Sequence, residues 1–182
     1  MEIIKTSIEG LVIIQPKVFE DERGYFMESY KEGFIEEKFP DIHFIQDNES
    51  KSSYGVLRGL HFQKYPFEQT KLVRVISGEV LDVAVDLRKN RSTFGQWKSI
   101  VLSGENKRQL LIPKGFAHGF IVLSDYATVS YKVDNAYAPD HESGILWNDN
   151  QLNIDWGING QKILVTKKDE NLLSFNEIAR NE

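Results

Sequence analysis

The chain has no cysteine among its 182 residues. That absence removes disulfide frameworks, thiolate metal sites and cysteine nucleophiles together, and it is compatible with a reducing compartment. Nowhere do eighteen apolar residues run together, and the start, Met1-Glu2-Ile3-Ile4-Lys5, lacks the basic and then apolar pattern of a secretory leader. A membrane-free, cytoplasmic protein is therefore expected. There is no surplus of positive charge either: 22 Lys and Arg against 27 Asp and Glu leave a net charge of -5. Nonspecific binding to DNA or RNA is disfavoured, and an anionic ligand would need a local basic patch. The glycines form no GxGxxG or P-loop spacing, so nucleotide binding by those routes is not supported. No Pro- or Ser-rich linker, internal repeat or low-complexity stretch divides the chain, and a single domain spanning 1–182 is expected.

What is present is the composition of a globular protein, 41% hydrophobic and 27% charged, enough to bury a core. Short β-type runs recur at 11–15, 25–30, 71–77, 80–87, 98–102, 109–112, 119–123 and 127–133. Between them, Ser77-Gly78-Glu79 and Ser103-Gly104-Glu105-Asn106 read as tight hairpin turns. One helix is expected over 31–39, stopped by Pro40, and another in the tail over 170–180. Many short strands with few helices disfavour a parallel α/β sheet. The pattern predicts an all-β fold, a double-sheet jelly roll with a short N-terminal arm and a C-terminal flap.

Residues able to do chemistry interrupt these runs. In Arg58-Gly59-Leu60-His61-Phe62-Gln63 an arginine, a histidine and a glutamine sit inside an apolar stretch. By the period of two, His61 shares a strand face with Gln63. If that face lines the interior, burial keeps the imidazole neutral, as a base must be; a hydrogen-bonded core histidine is the plain alternative. Strict alternation points Arg58 and His61 opposite ways, so an irregularity at Gly59, or an Arg58 reaching over the rim, is expected. Lys71 aligns with Val73 and Val75; an inward ammonium would stabilise an oxyanion or enolate, an outward one is surface. Tyr131 aligns with Val129 and Val133, and its phenol is either a general acid or core packing. Asp169 follows Lys167 and Lys168. It is either solvated surface charge or, if the run 163–166 folds back over the barrel, a carboxylate that fixes a histidine tautomer.

Arg23 and Arg58 offer planar donors suited to phosphate, and Gln46-Asp47-Asn48 offers amides suited to a sugar, a base edge or a turn. Pro113-Lys114-Gly115-Phe116-Ala117-His118 matches the PxGxxH half of a metal-binding cupin motif, but the HxH half is missing because Phe62-Gln63 follows His61. Two histidines from separate strands with a carboxylate remain a route to a metal, and none is expected.

In order and over almost the whole chain, these stretches resemble the dTDP-4-dehydrorhamnose 3,5-epimerase family. The resemblance is carried by Phe19-Glu20-Asp21-Glu22-Arg23-Gly24-Tyr25-Phe26, Gln46-Asp47-Asn48, residues 55–63, Lys71-Leu72-Val73-Arg74-Val75, residues 112–120, Tyr131-Lys132 to Tyr137-Ala138-Pro139, Ile145-Leu146-Trp147-Asn148-Asp149 and Lys168-Asp169. It implies a cupin-type jelly roll, a homodimer, no metal or other cofactor, and a site inside the barrel for a dTDP-4-keto-6-deoxyhexose whose C3 and C5 are inverted. It implies His61 as base, Asp169 as its partner, Tyr131 as acid on the opposite sugar face and Lys71 as support for the enolate oxygen. It further implies Arg23 and Arg58 near the diphosphate, and Glu28, Gln46, Asn48, His118, Glu142 and Lys168 as ligand contacts. Tyr137 would stack on the nucleobase of the substrate held by the adjacent subunit, and Phe26 would shape the pocket. The chain departs from the family pattern in carrying Thr70 and Thr166 where Gly and Ser are common, and in lacking a proline over 171–175. The competing readings are a relative that inverts one carbon, a noncatalytic cupin that binds a nucleotide sugar, and a metal-dependent cupin oxygenase.

Overall fold

The computed structural model describes residues 1–158 and 163–181. In chain order its strands are β1 (Glu2–Lys5), β2 (Val12–Gln15), β3 (Val18–Asp21), β4 (Gly24–Met27), β5 (Gln46–Ser53), β6 (Leu57–Gln63), β7 (Lys71–Ser77), β8 (Glu79–Asp86), β9 (Trp97–Ser103), β10 (Gln109–Ile112), β11 (Phe116–Val122), β12 (Tyr126–Val133) and β13 (Glu142–Gly144). Two short helices, α1 (Glu32–Lys38) and α2 (Phe175–Asn181), accompany them. One sheet runs β1-β2-β10-β7-β12-β5 and a second β13-β6-β11-β8-β9, while among the described residues β3 and β4 pair only with each other. All these pairings are antiparallel. The expected double-sheet jelly roll is therefore present, with β3 and β4 as its arm.

Alternation along the strands distributes three apolar clusters. Val73 and Val75 of β7, Val80 and Ala84 of β8, Leu110 and Ile112 of β10, Phe116 and Phe120 of β11, and Ala127 and Val129 of β12 meet between the sheets. The intervening residues point outward: Val83, Val85, Leu57, Leu60 and Phe62 are roofed by Leu152, Trp156, Phe175 and Ile178 of the C-terminal segment. On the other sheet, Leu72, Leu111 and Ile14 are roofed by Ile35 of α1. Sheets covered on both faces explain why several strands read as continuous apolar runs rather than alternating ones.

The two turns read as hairpins are sheet crossings. β7 and β9 lie in different sheets from the strands that follow them, β8 and β10. Gly78 (φ +79°) makes the first crossing, and a Cβ there would lie 1.9 Å from the Tyr126 carbonyl oxygen. A glycine turn marks a short reversal in either case; the apolar faces choose the partner, and Val75 and Val80 are satisfied by facing each other across the interior. The tail is not one helix: a 3₁₀ turn (Asp169–Asn171) precedes α2. The run 25–30 shortens to β4. Edge strand β5, sequence QDNESKSS, carries no apolar signal because β12 is its only strand neighbour among the described residues. No helix among the described residues is long and apolar enough to cross a membrane.

Candidate active site

The site begins at an irregularity in β6. Against β11, His61 pairs with His118 and Arg58 with Phe120, so Gly59 and Leu60 together oppose Gly119 alone. This bulge restores the parity that strict alternation denies: Arg58 and His61, three residues apart, line the same cavity. Only glycine fits at its apex. Gly59 has φ +123°, and a Cβ would lie 2.5 Å from the Gly119 Cα.

The bulge also meets the C-terminal segment. Leu164 bridges Val56, exchanging hydrogen bonds with Leu57 N (2.9 Å) and Gly55 O (2.8 Å), and the 3₁₀ turn that follows presents Asp169. The buried Asp169 carboxylate lies 2.8 Å from His61 Nε2 through Oδ1 and accepts a longer bond from Gly59 N, 3.4 Å, on Oδ2. Thr166 Oγ1 accepts from Asp169 N at 3.2 Å. Burial lowers the His61 pKa, Asp169 opposes that shift, and Lys71 reinforces it. The ring is therefore neutral at pH 7, its Nε2–H donated to Asp169 and its Nδ1 left as a base.

Across the cavity stand two residues of the six-stranded sheet. Lys71 and Tyr131 point inward from β7 and β12, where Lys71 pairs with Val133 and Tyr131 with Val73. Burial pulls Lys71 down to about 8, against the opposing charges of Asp82 and Glu142. Burial raises the Tyr131 phenol while Arg58 lowers it, which keeps the proton on the oxygen at neutral pH. Arg58 is oriented by Ser52, whose Oγ accepts from its Nε at 3.0 Å. His118 lines the same cavity with Nε2 3.0 Å from both carboxylate oxygens of Asp82.

The cavity measures about 480 Å³ and opens into a lobe of about 260 Å³ that shares His61, Lys71 and Tyr131 and adds Gln46, Asn48, Tyr137 and Glu142. At its mouth the Glu142 Oε2 accepts from Lys168 Nζ (2.7 Å) and Tyr137 OH (2.6 Å). Burial would raise the Glu142 carboxyl, but these two donors outweigh it and hold it below the usual range. The same contact raises Lys168 and Tyr137.

Eleven of the fourteen residues singled out in the sequence line one cavity or its mouth, and His61, Lys71, Tyr131 and Asp169 are among them. Arg58, Gln46, Asn48, His118, Tyr137, Glu142 and Lys168 join them, although Gln63, aligned with His61, is spent on the backbone of Phe67, Ala136 and Ala138. Arg23, Phe26 and Glu28 do not join them. Arg23 pairs with Asp21 and Glu28 with Lys31, and Phe26 is exposed on an arm that contributes nothing to either lobe. Sequence reading missed Asp82, a carboxylate in the middle of the apolar β8, and Ser52. No group of three His, Asp or Glu among the described residues is placed to hold a metal. A neutral imidazole on one sheet, an ammonium and a phenol on the other, and cations near the mouth can remove and return a proton beside a carbonyl on a charged ligand.

Comparison with known proteins gives the same direction. The model of the family described as dTDP-4-dehydrorhamnose 3,5-epimerase matches residues 5–177. A dTDP-4-dehydrorhamnose 3,5-epimerase of Shigella flexneri is 55% identical over 96% of this chain and 96% of its own. The crystal structure of the Elizabethkingia anophelis enzyme of that name superposes with a TM-score of 0.93 at 51% identity, covering 97% of both chains. A 3,5-epimerase from Legionella pneumophila, solved in complex with dTDP-4-keto-L-rhamnose, gives 0.92 at 50% identity over 96% of this chain and 93% of that one.

Proposed function

The chain belongs to the dTDP-4-dehydrorhamnose 3,5-epimerase family, and from that premise we propose how its own residues carry the reaction. It is an isomerase that inverts C3 and C5 of dTDP-4-dehydro-6-deoxy-D-glucose to give dTDP-4-dehydro-L-rhamnose. His61 Nδ1 takes the proton from the carbon beside the C4 ketone, and the electron pair moves onto the ketone oxygen. The Lys71 ammonium compensates that enolate, and the Tyr131 phenol returns a proton to the opposite face of the carbon, so one proton leaves and one enters at each centre. Asp169 stabilises the imidazolium. Arg58, with Arg23 of an arm, meets the diphosphate, Gln46, Asn48, His118, Glu142 and Lys168 meet the remaining polar groups, and Tyr137 stacks on the nucleobase of the substrate held by the adjacent subunit. The observation that carries this reading is that His61 and the Lys71–Tyr131 pair stand on opposite sheets around one cavity.

The arm bearing Arg23, Phe26 and Glu28 lines no part of its own chain's cavity and exposes Phe19, Tyr25 and Phe26, which supports a homodimer in which each arm completes the other protomer's site. Mixing inactive Arg23→Ala and His61→Ala dimers under subunit exchange should restore turnover; none restored would sink the exchange of arms. Cytoplasmic residence belongs to the same reading and is checked by cell fractionation.

Proton NMR of dTDP-4-keto-6-deoxyglucose in D2O tests the activity. Deuterium should enter at both C3 and C5 with the wild type, and His61→Ala should abolish it. Entry at one carbon would make the chain a single-centre relative, and binding without exchange would make it a noncatalytic binder.

A further inference from the structure

Asp82 is a full carboxylate with no exposed surface, placed on the interior face of β8 between Val80 and Ala84. Taking such a charge out of water costs several kcal/mol unless a partner offsets it. No arginine or lysine bonds to it: its hydrogen-bond partner among the described residues is His118 Nε2, 3.0 Å from each of its oxygens. An apolar residue would fill that strand position at less cost, so the reason for the carboxylate lies in what it does to His118. That ring is 7% exposed and lines the cavity. Its Nδ1 has no partner among the described residues, although every fully buried side-chain nitrogen or oxygen there has one, so Nδ1 is the atom open to the cavity.

We propose that Asp82 is a positioning residue. It holds His118 with Nε2–H toward its own carboxylate, turns Nδ1 into the cavity, and by its charge lets that nitrogen carry a proton for the substrate oxygen that Lys71 also faces. Two His–carboxylate pairs then border one cavity with different tasks, and the β6–β11 register sets their two histidines directly opposite each other. In the His61–Asp169 pair the free nitrogen is a base beneath a carbon. In the His118–Asp82 pair it is a donor to oxygen, reinforcing the ammonium as negative charge develops there. The inference rests on the proposed proton abstraction. The charged and titratable groups that share the cavity with the His118 ring are Glu49 from β5, His61 and Arg58 from β6, Lys71 from β7, Tyr131 from β12, and Lys168 and Asp169 from the C-terminal segment, with Asp82 of β8 on the ring itself.

The first test is independent of turnover. In wild-type protein labelled with ¹⁵N-histidine, the neutral His118 ring should show its proton on Nε2; a proton on Nδ1 with a bare Nε2 overturns the proposal. Asp82→Asn keeps an acceptor but removes the charge. It should reduce kcat about 10- to 100-fold with KM moving little, and slow deuterium entry at C3 and C5 alike. A merely structural carboxylate would change the melting temperature and leave the split between kcat and KM untouched. In a His118→Gln background the same substitution should cost no further rate; an undiminished loss there would mean that Asp82 acts through Lys71 and would refute the role assigned to it. If Asp82→Asn fails to fold, the nitrogen spectrum of the wild type still decides. Wild-type deuterium exchange is the control for the activity itself: without it the epimerase reading fails, whatever the tautomer.

Discussion

Replacing Gly59 with alanine probes the bulge on which the site is built. The new Cβ would lie 2.5 Å from the Gly119 Cα and 2.8 Å from the His118 carbonyl oxygen. Both are backbone atoms of a central strand, so neither can rotate away. A side chain at φ +123° costs about 1–3 kcal/mol of backbone strain, and forcing two strands apart adds about 1–3 kcal/mol. Together about 2–6 kcal/mol is expected, which for a chain of this size lowers the melting temperature by about 4–24 °C. Activity should suffer beyond stability, because the same residue's N–H reaches Asp169 and its geometry sets Arg58 and His61 on one face. A shift of about 1 Å between base and carbon costs about 100-fold. The assay is thermal unfolding alongside deuterium exchange measured well below the variant's melting point. A Gly59→Ala protein that melts within a degree or two of the wild type and turns over normally would refute the reasoning that glycine is required there. One that is destabilised yet fully active would refute only the link from bulge to base.

Two further outcomes follow from the titrating groups. Lys71→Met should abolish turnover and yet stabilise the fold at pH 7. Burial that takes the ammonium from 10.5 to about 8 corresponds to about 3 kcal/mol, part of which the substitution recovers; a destabilised Lys71→Met in denaturant titration would contradict this. The pH profile of kcat/KM should be bell-shaped. His61 must be neutral, and its burial-lowered pKa puts the acid limb below the ordinary 6.5. Lys71 must be charged, so activity falls above about 8. Both groups titrate lower folded than unfolded. Their contribution to stability is present above the unfolded value and lost as pH falls through the folded one, through about 8 for Lys71 and below 6.5 for His61. The Lys71 loss is therefore complete by about pH 8, on the alkaline side of the activity maximum, and the His61 loss falls on its acid side; an acid limb above 6.5 would show that Asp169 outweighs burial.

Much of the fold was legible because local chemistry repeats along the chain. The β7, β10 and β12 runs alternate valine and leucine with residues that face another roof, and their bounds in the sequence match the structure within a residue. The glycine turns at Gly78 and Gly104 were legible as turns but not as sheet crossings, since a hairpin and a crossing begin with the same reversal. β5 escaped because an edge strand needs no apolar pattern, and Asp82 escaped because the run 80–87 that holds it reads as an ordinary strand until His118 is seen as its partner.

The sequence alone determined the class of fold, the parity that aligns Lys71 and Tyr131 with their valines, and the motif set by which the family is recognised. It could also say that Arg58 and His61 conflict under strict alternation, because a strand period is a local property of the backbone. Only the tertiary structure decided that two residues oppose one at Gly59, that Asp169 reaches His61 across 108 positions of chain, that His118 is backed by Asp82, and that the arm bearing Arg23 stays away from its own cavity. Each of these depends on how distant segments share burial, and burial is set by the whole packed chain rather than by any stretch of it.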